Sequence, residues 1–381
     1  MQIFENDDAI SSIYQRSISL TISKEFAELS NGKLTVAAQQ DSEQTNRRRE
    51  LLAVEKQANK DKIIEEHGQN HFKAQVMSKL YKQVNTQIND VFDNKENLYN
   101  NVLNVEDSAP AILELLAVKA ASVNRVTPLV KSLSWLSNDL INLVNKPQYR
   151  KRADVQVTQA NLALSYIGLD NLKLLMPTFI LKHWLPGTTA PFGLMKRKLW
   201  NDSLSVALAA KVLADQQGLD GFTAFTCGML SNIGHLAITR CVFDCYNETY
   251  KQQRREAFES RDKRLHNVFV QLEMSPELLL EQLASRSSNI SADLIELMRF
   301  DRLLITEPMF DLAYCSQLND MHPIAQSVTQ AKAYIAFRSL AKENLINTDE
   351  AKTLLSRVKL TPDDIALLKR SDIDHIKLNF K

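Results

Sequence analysis

The sequence predicts an all-α protein, and three observations lead there. Nine glycines and ten prolines make up about 5 % of the 381 residues, against a usual share of roughly 12 %. Leu, Ala, Gln, Lys and Glu, which lose little on entering a helix, are abundant. Strand-like alternation never extends beyond a few residues, and no fixed-period repeat or Gly-rich phosphate loop is present. The expected architecture is a helical bundle in three parts. Residues 1–105 form an N-terminal helical extension, 106–300 the main domain, and 301–381 C-terminal helices packed on or extending the core.

Residues 1–30 read as one or two short helices of mixed polarity, with Asn31–Gly32 as a stop. From Asp41 to Glu66 the chain is strongly charged, with Arg47, Arg48 and Arg49 consecutive and only a thin apolar face, and His67–Gly68 reads as its end. Phe72, Val76, Leu80, Val84, Ile88 and Val91 then recur at spacings of four and three, one face of an amphipathic helix. Lys73, Lys79, Lys82, Gln83 and Asn89 lie opposite. Such a face docks on the main domain or, as the sharper alternative, forms a partner-binding or dimerising helix. The polar, Asn-rich stretch Asp93–Asn104 is a natural boundary.

Beyond Glu106 the apolar density rises. Ile112–Ala121, Leu129–Val144, Val155–Ile167 and Leu172–Trp184 read as successive buried helices, stopped at Asn145–Lys146–Pro147, Gly168 and Pro186–Gly187. Leu199–Gln217 and Thr223–Ile238 follow as helices. Later starts are signalled by Ser275 before Pro276 and Glu277, and by Ser291 with Asp293 in the first turn. A further start is Thr361 before Pro362, Asp363 and Asp364.

Composition excludes several classes. A net charge of +1 gives no global attraction to nucleic acid or anionic membranes. The basic clusters at Lys146–Arg152, Lys196–Lys198, Arg254–Arg255 and Arg261–Arg264 lack base-stacking aromatics, and Glu256, Glu259 and Asp262 interrupt the last two. No run approaches the ~20 apolar residues of a membrane span. The N-terminus lacks the pattern of a secretory signal, so the expected location is cytoplasmic. Cys227, Cys241, Cys245 and Cys315 are too few for a disulfide scaffold in a chain this long. His67 and His71 share a helix-face spacing without a third ligand and are read as chance.

The most informative stretch is Phe225–Ile238, FTCGMLSNIGHLAI. It resembles the GLLHDIG run of the HD phosphohydrolase superfamily through Gly228, Leu230, Ile233 and Gly234. Ser231–Asn232 stands where that superfamily carries its metal-binding His–Asp pair. Upstream, Leu199–Ala207 (LWNDSLSVA) resembles the segment that holds a first ligand histidine, with Asp202 in its place. Leu129–Pro147, with Asn145 at the family's Asn step, and Ala160–Leu175, with Ala163, Ile167, Gly168, Leu169 and Leu172, complete the pattern. Ile290–Met298 resembles the short helix near the domain's end, although the Trp and Pro that precede it in relatives are absent.

In this order the segments resemble an HDOD domain, the output-domain relative of HD hydrolases in bacterial signalling proteins, over about half the chain. The resemblance implies an all-α HD-like bundle and, in many members, no complete metal set. Here a neutral Ser and Asn replace imidazole and carboxylate, which are far better ligands for a divalent transition metal. The expectation is therefore a degenerate HD site with no metal, no cofactor and no catalytic residue.

Asp202, Ser231, Asn232 and His235 then form either a satisfied polar cluster, the preferred reading, or a residual ligand cleft. His235, where catalytic relatives often carry Lys, could meet a phosphate or carboxylate if protonated. The reading is a non-catalytic, cytoplasmic signal-transduction module that binds an unidentified protein partner, or a small ligand, by helix rearrangement. Its candidate surfaces are that cleft and the Phe72–Val91 helix, and a homodimer stays open. The alternatives are a divergent metal-dependent phosphohydrolase or phosphodiesterase using Asp202, His235 and a later His or Asp, and a nucleotide-sensing module.

Overall fold

Helices make up all the regular structure among the described residues, which in this computed structural model are 1–5, 7–31, 53–150 and 156–378. Over 53–69 only the backbone is described. The Gly32 stop, the Arg47–Arg49 run, and Lys151 and Arg152 of one basic cluster lie outside these residues.

The N-terminal 30 residues form α1 (Gln2–Glu5), α2 (Asp8–Ile22) and α3 (Lys24–Ser30). Asp7 caps α2 by accepting from the backbone of Ala9 and Ile10, and Ser23 caps α3 through Phe26 N. Next comes α4 (Ala53–Phe92), which runs without interruption through Gly68. The stop expected at His67–Gly68 is absent. A single interior glycine costs only about 1 kcal/mol, less than the docking of the helix returns. Val76, Leu80, Val84 and Ile88 are buried, while Phe72 and Val91 are half-buried. Burial of each such aliphatic side chain contributes about 1.5–3 kcal/mol.

After α5 (Lys95–Asn97) and a π-helical turn at Leu98–Val102 come α6 (Ser108–Ala117), α7 (Val123–Ser132) and α8 (Ser134–Val144). The single helix expected over Leu129–Val144 is therefore two, broken at Leu133, which is extended (φ −101°, ψ 93°) and buried. The buried Leu133 side chain holds the break, and Ser132 and Ser137 take up the carbonyls of Leu129 (2.7 Å) and Val130 (2.8 Å) around it. Asn145 ends α8 and spans the following loop, its amide nitrogen 2.7 Å from Val157 O and its oxygen accepting from Val157 N at 3.0 Å. Gly168, at φ 77° and ψ 159°, separates α9 (Ala160–Ile167) from α10 (Leu169–His183) in a conformation open essentially to glycine.

The centre is built from α11 (Met195–Gln216), α12 (Gly221–Leu230) and α13 (Ile233–Glu259), followed by α14 (Lys263–Val270) and α15 (Pro276–Leu297). The helix expected over Thr223–Ile238 breaks at Ser231–Asn232, and its second half runs on to Glu259. Ser275 caps α15 as expected, through Glu277 N. Ser291 does not start a helix. It lies buried inside α15, where its hydroxyl accepts from Gly234 N at 2.9 Å.

α4 docks along α13 and the start of α15. Thr249 donates to Gln87 at 2.7 Å, Gln253 to Gln83 at 3.0 Å, and Ser275 N to the Tyr81 hydroxyl at 2.7 Å. The face of Val76, Leu80, Val84 and Ile88 is thus taken up within the chain and is not free for a partner.

The C-terminal part comprises α16 (Thr306–Tyr314), α17 (Pro323–Lys342), α18 (Thr348–Arg357) and α19 (Pro362–Arg370). Thr361 and Asp364 form the capping box that starts α19, and Asn347 and Glu350 form another at α18. α2 packs against α15, α17 and α18. Arg16 holds Glu350 with both terminal nitrogens (3.1 and 3.0 Å) and Leu345 O at 2.7 Å. One apolar cluster runs from Ile3 to Ile373, so the two terminal segments share a core with the centre.

Two glycines let one helix come close against the backbone of another. A Cβ on Gly228 would meet Ala207 Cα at 2.9 Å, and one on Gly234 would meet Ser287 O at 2.0 Å and Ser291 Oγ at 2.7 Å. Overpacking of this kind costs typically 1–3 kcal/mol. Gly234→Ala should therefore lower unfolding free energy in urea by about 2 kcal/mol or more. Gly187→Ala, whose Cβ meets nothing within 4 Å, should change little. Equal effects of the two would contradict this packing.

Candidate functional site

Four helices converge on one cleft of about 650 Å³. α11 supplies Lys198, Asp202 and Ser205, and the α12–α13 break supplies Asn232, with His235 on the first turn of α13. α17 supplies Lys332, Arg338 and Ser339, and α2 covers one side with Tyr14, Ser17 and Thr21. The cleft brings together Asp202, Asn232 and His235, with Ser231 beneath them. It does not include the Phe72–Val91 face, which packs on another side of α13.

The break that presents Ser231 and Asn232 follows from their short polar side chains, which compete with helix hydrogen bonds. The Ser231 hydroxyl turns back onto Gly228 O at 2.8 Å. The Asn232 amide nitrogen lies 3.2 Å from Ser203 Oγ on α11. Both residues then face Lys332, whose ammonium donates to Asn232 Oδ1 at 2.8 Å and to Ser231 O at 3.2 Å. Among the described residues Lys332 makes no ion pair. Burial pushes its ammonium down to about 8.

Asp202 accepts from Thr21 Oγ1 at 3.2 Å. Burial pushes its carboxyl up to about 6, against the opposing pull of the Thr21 hydroxyl and of the Lys198 and Arg338 charges. His235 Nδ1 is buried without a hydrogen-bond partner. Burial and the Lys332 charge press this imidazole down to about 3, so it is neutral at ordinary pH. His235 would carry a positive charge only if protonated, whereas the Lys332 ammonium stands beside it as the cation of this part of the cleft.

At the mouth, Arg338 grips Asp374 at 3.0 and 2.6 Å and approaches Ser205 Oγ at 3.2 Å, while Lys24 pairs with Glu343 at 2.7 Å. Lys198, the last of the Lys196–Lys198 cluster, donates to Leu20 O.

These residues do not fit a catalytic metal. Asn232 is engaged through both amide atoms, the Ser231 hydroxyl is turned away, and a cation already sits on the ligand positions. Asp202 is the one carboxylate among Asp202, Ser231 and Asn232, whereas three or four protein ligands are usual. No group of three or more His, Cys, Asp or Glu among the described residues is placed to hold a metal ion. Sequence reasoning missed Lys332, which lies about 100 residues beyond the motifs. A signal was present: a lone lysine within the otherwise apolar and small stretch Ala331–Ala336 of a buried helix.

The HDOD domain model matches residues 103–275. No curated protein matches the chain significantly. Among solved structures, a candidate metal-dependent phosphohydrolase from Shewanella amazonensis SB2B is 17 % identical, with 77 % of this chain and 95 % of that one covered and a TM-score of 0.44. An HDOD domain protein of unknown function from Geobacter sulfurreducens is 18 % identical, with 77 % and 91 % covered and a TM-score of 0.43. No helix among the described residues is long and apolar enough to cross a membrane.

Asp202 carries a pH signature. The folded chain holds its proton more tightly than the unfolded chain, so its contribution to stability is full below the ordinary value of 3.8 and is lost as pH rises through about 6. Asp202→Asn removes that titration. Relative to the variant, the wild-type protein should lose on the order of 2 kcal/mol between about pH 4 and 7. Urea unfolding of both proteins across that range checks this, and a constant difference would contradict it.

Proposed function

On the premise that residues 103–275 of this chain are an HDOD domain, we propose that the protein is a non-catalytic regulatory module in a signalling pathway. It works by binding rather than turnover, and its place of action is the cytoplasm. The observation that carries this reading is the Lys332 ammonium on Ser231 O and Asn232 Oδ1. A fixed cation with no acceptor capacity at the ligand positions opposes a divalent metal by charge and by geometry.

The cleft is roofed by α2 and walled by α17, and α2 is tied to the far C-terminal helices by Arg16–Glu350. A ligand or partner that wedges or closes the cleft therefore moves terminal segments against the HDOD core. That coupling gives a binding event a mechanical readout. The exposed polar side of α4, together with the surface formed by the terminal helices, is where a protein partner would sense it. With its apolar face committed to α13, α4 acts as a brace for such a surface.

Elemental mass spectrometry of protein grown with added manganese, iron, nickel and zinc tests the reading. Less than about a tenth of an equivalent of each is expected, given how few ligands remain, together with no hydrolysis of phosphomonoesters or phosphodiesters. Near-stoichiometric metal that disappears in Asp202→Ala would overturn it in favour of a divergent phosphohydrolase.

A further inference from the structure

We propose that the cleft is a binding site for a small organic monocarboxylate whose carboxylate sits on Lys332. This rests on the reading that the cleft binds rather than catalyses, and it names the ligand class. An ammonium has three protons to donate. Asn232 Oδ1 and Ser231 O take two, and Lys332 lines the cleft with the third. Both acceptors are neutral, so the positive charge is solvated by dipoles and matched by no carboxylate.

Apart from the solvent-exposed Lys342, the other charges of the cleft are matched. Arg338 is held by Asp374 at 2.6 Å, and Glu343 is held by Lys24 at 2.7 Å. Lys198 and Asp202 face each other closely enough for each to shift the other's titration. Four cations line the cleft (Lys198, Lys332, Arg338 and Lys342) against three carboxylates (Asp202, Glu343 and Asp374). With Glu343 held by Lys24 from outside the lining, two of these cations lack a carboxylate, Lys332 in the floor and the solvent-exposed Lys342, so the buried excess resides at Lys332.

That balance selects the charge of the ligand. A monoanion neutralises the floor, and its charge-assisted bond to the ammonium is of the stronger kind. A phosphate dianion would bring a second negative charge beside Asp202 with only the exposed, solvent-screened Lys342 left to meet it. His235, held neutral next to Lys332, adds no positive charge to change this.

The size of the cleft, about 650 Å³, suits an organic ligand rather than a halide. Ile18, Val206, Ile335 and Ala336 provide apolar wall for a short carbon body, and Ser17, Thr21 and Ser339 provide hydroxyls. Arg338–Asp374, both in the lining, form a partly exposed pair that is cheap to open.

The test is a thermal-unfolding titration of the full chain with sodium lactate, pyruvate and butyrate, with sodium chloride and inorganic phosphate at matched ionic strength as controls. A saturable rise in Tm with at least one monocarboxylate, absent with chloride and weaker with phosphate, is expected. Lys332→Met should weaken the apparent Kd at least about tenfold.

Because that variant can fail to fold, the wild-type protein provides a second readout. Acylation of Lys332 by an N-hydroxysuccinimide ester, followed by peptide mass spectrometry, should slow in the presence of the stabilising carboxylate. Acylation of the exposed Lys352 should not change. No saturable shift with any of the three, an equal or larger shift with phosphate, or no protection of Lys332 overturns the proposal. A metal-free, hydrolytically inert protein that fails these tests loses only this proposal, whereas bound metal removes the regulatory reading beneath it.

Discussion

The ammonium of Lys332, lodged on Ser231 O and Asn232 Oδ1, is the contact on which the arrangement of the site depends. It joins a C-terminal helix to the break between two central helices, in the segment whose sequence resembles the ligand run of HD hydrolases. A metal in such a site gathers side chains from several helices into one rigid centre. Here a side chain of the chain itself supplies the positive charge, and the groups around it are those an ammonium wants: a carbonyl and an amide oxygen. Burial of a lysine is costly, which the lowering of its titration to about 8 records. Its neighbours offset only part of that cost, so the floor of the cleft retains a charge that a ligand can meet.

Around this contact the HD-like frame persists for steric reasons that are independent of metal chemistry. Gly228 lets α12 lie against Ala207 of α11, and Gly234 lets α13 lie against the Ser287 carbonyl of α15. Ser291 then satisfies Gly234 N, the backbone group that this close approach would otherwise strand. These positions follow the family pattern although the ligands between them do not. Packing constrains them in every state of the molecule, whereas metal ligation constrains Ser231, Asn232 and Asp202 only if a metal is used.

Much of the fold was legible in the sequence because its signals are local. The capping residues Ser275 and Thr361, the Gly168 break and the helix stop at Asn145 each act within a few residues of themselves, and each does in the structure what its type implies. Where local signals and tertiary burial compete, the sequence misled. Leu133 breaks a helix because its side chain is wanted in the core, Gly68 fails to break one because α4 is held along α13, and Ser291 resembles a start yet lies mid-helix. The site was half legible. Asp202, Asn232 and His235 were located from a resemblance of motifs, but the charge that organises them comes from Lys332, and no periodicity or spacing links residues so far apart. The roof formed by α2 was hidden for the same reason.

The central claim is that Lys332 and Asn232 act as a pair that holds α17 on the break between α12 and α13. A double-mutant cycle with Asn232→Ala, Lys332→Met and their combination, measured by urea unfolding at neutral pH, tests it most directly. The account predicts a coupling energy of about 1.5–3 kcal/mol, the range for a buried hydrogen bond to a charged group. Additivity within about 0.3–0.5 kcal/mol would mean that the two residues stabilise the fold independently, and would contradict the claim that the ammonium organises the site.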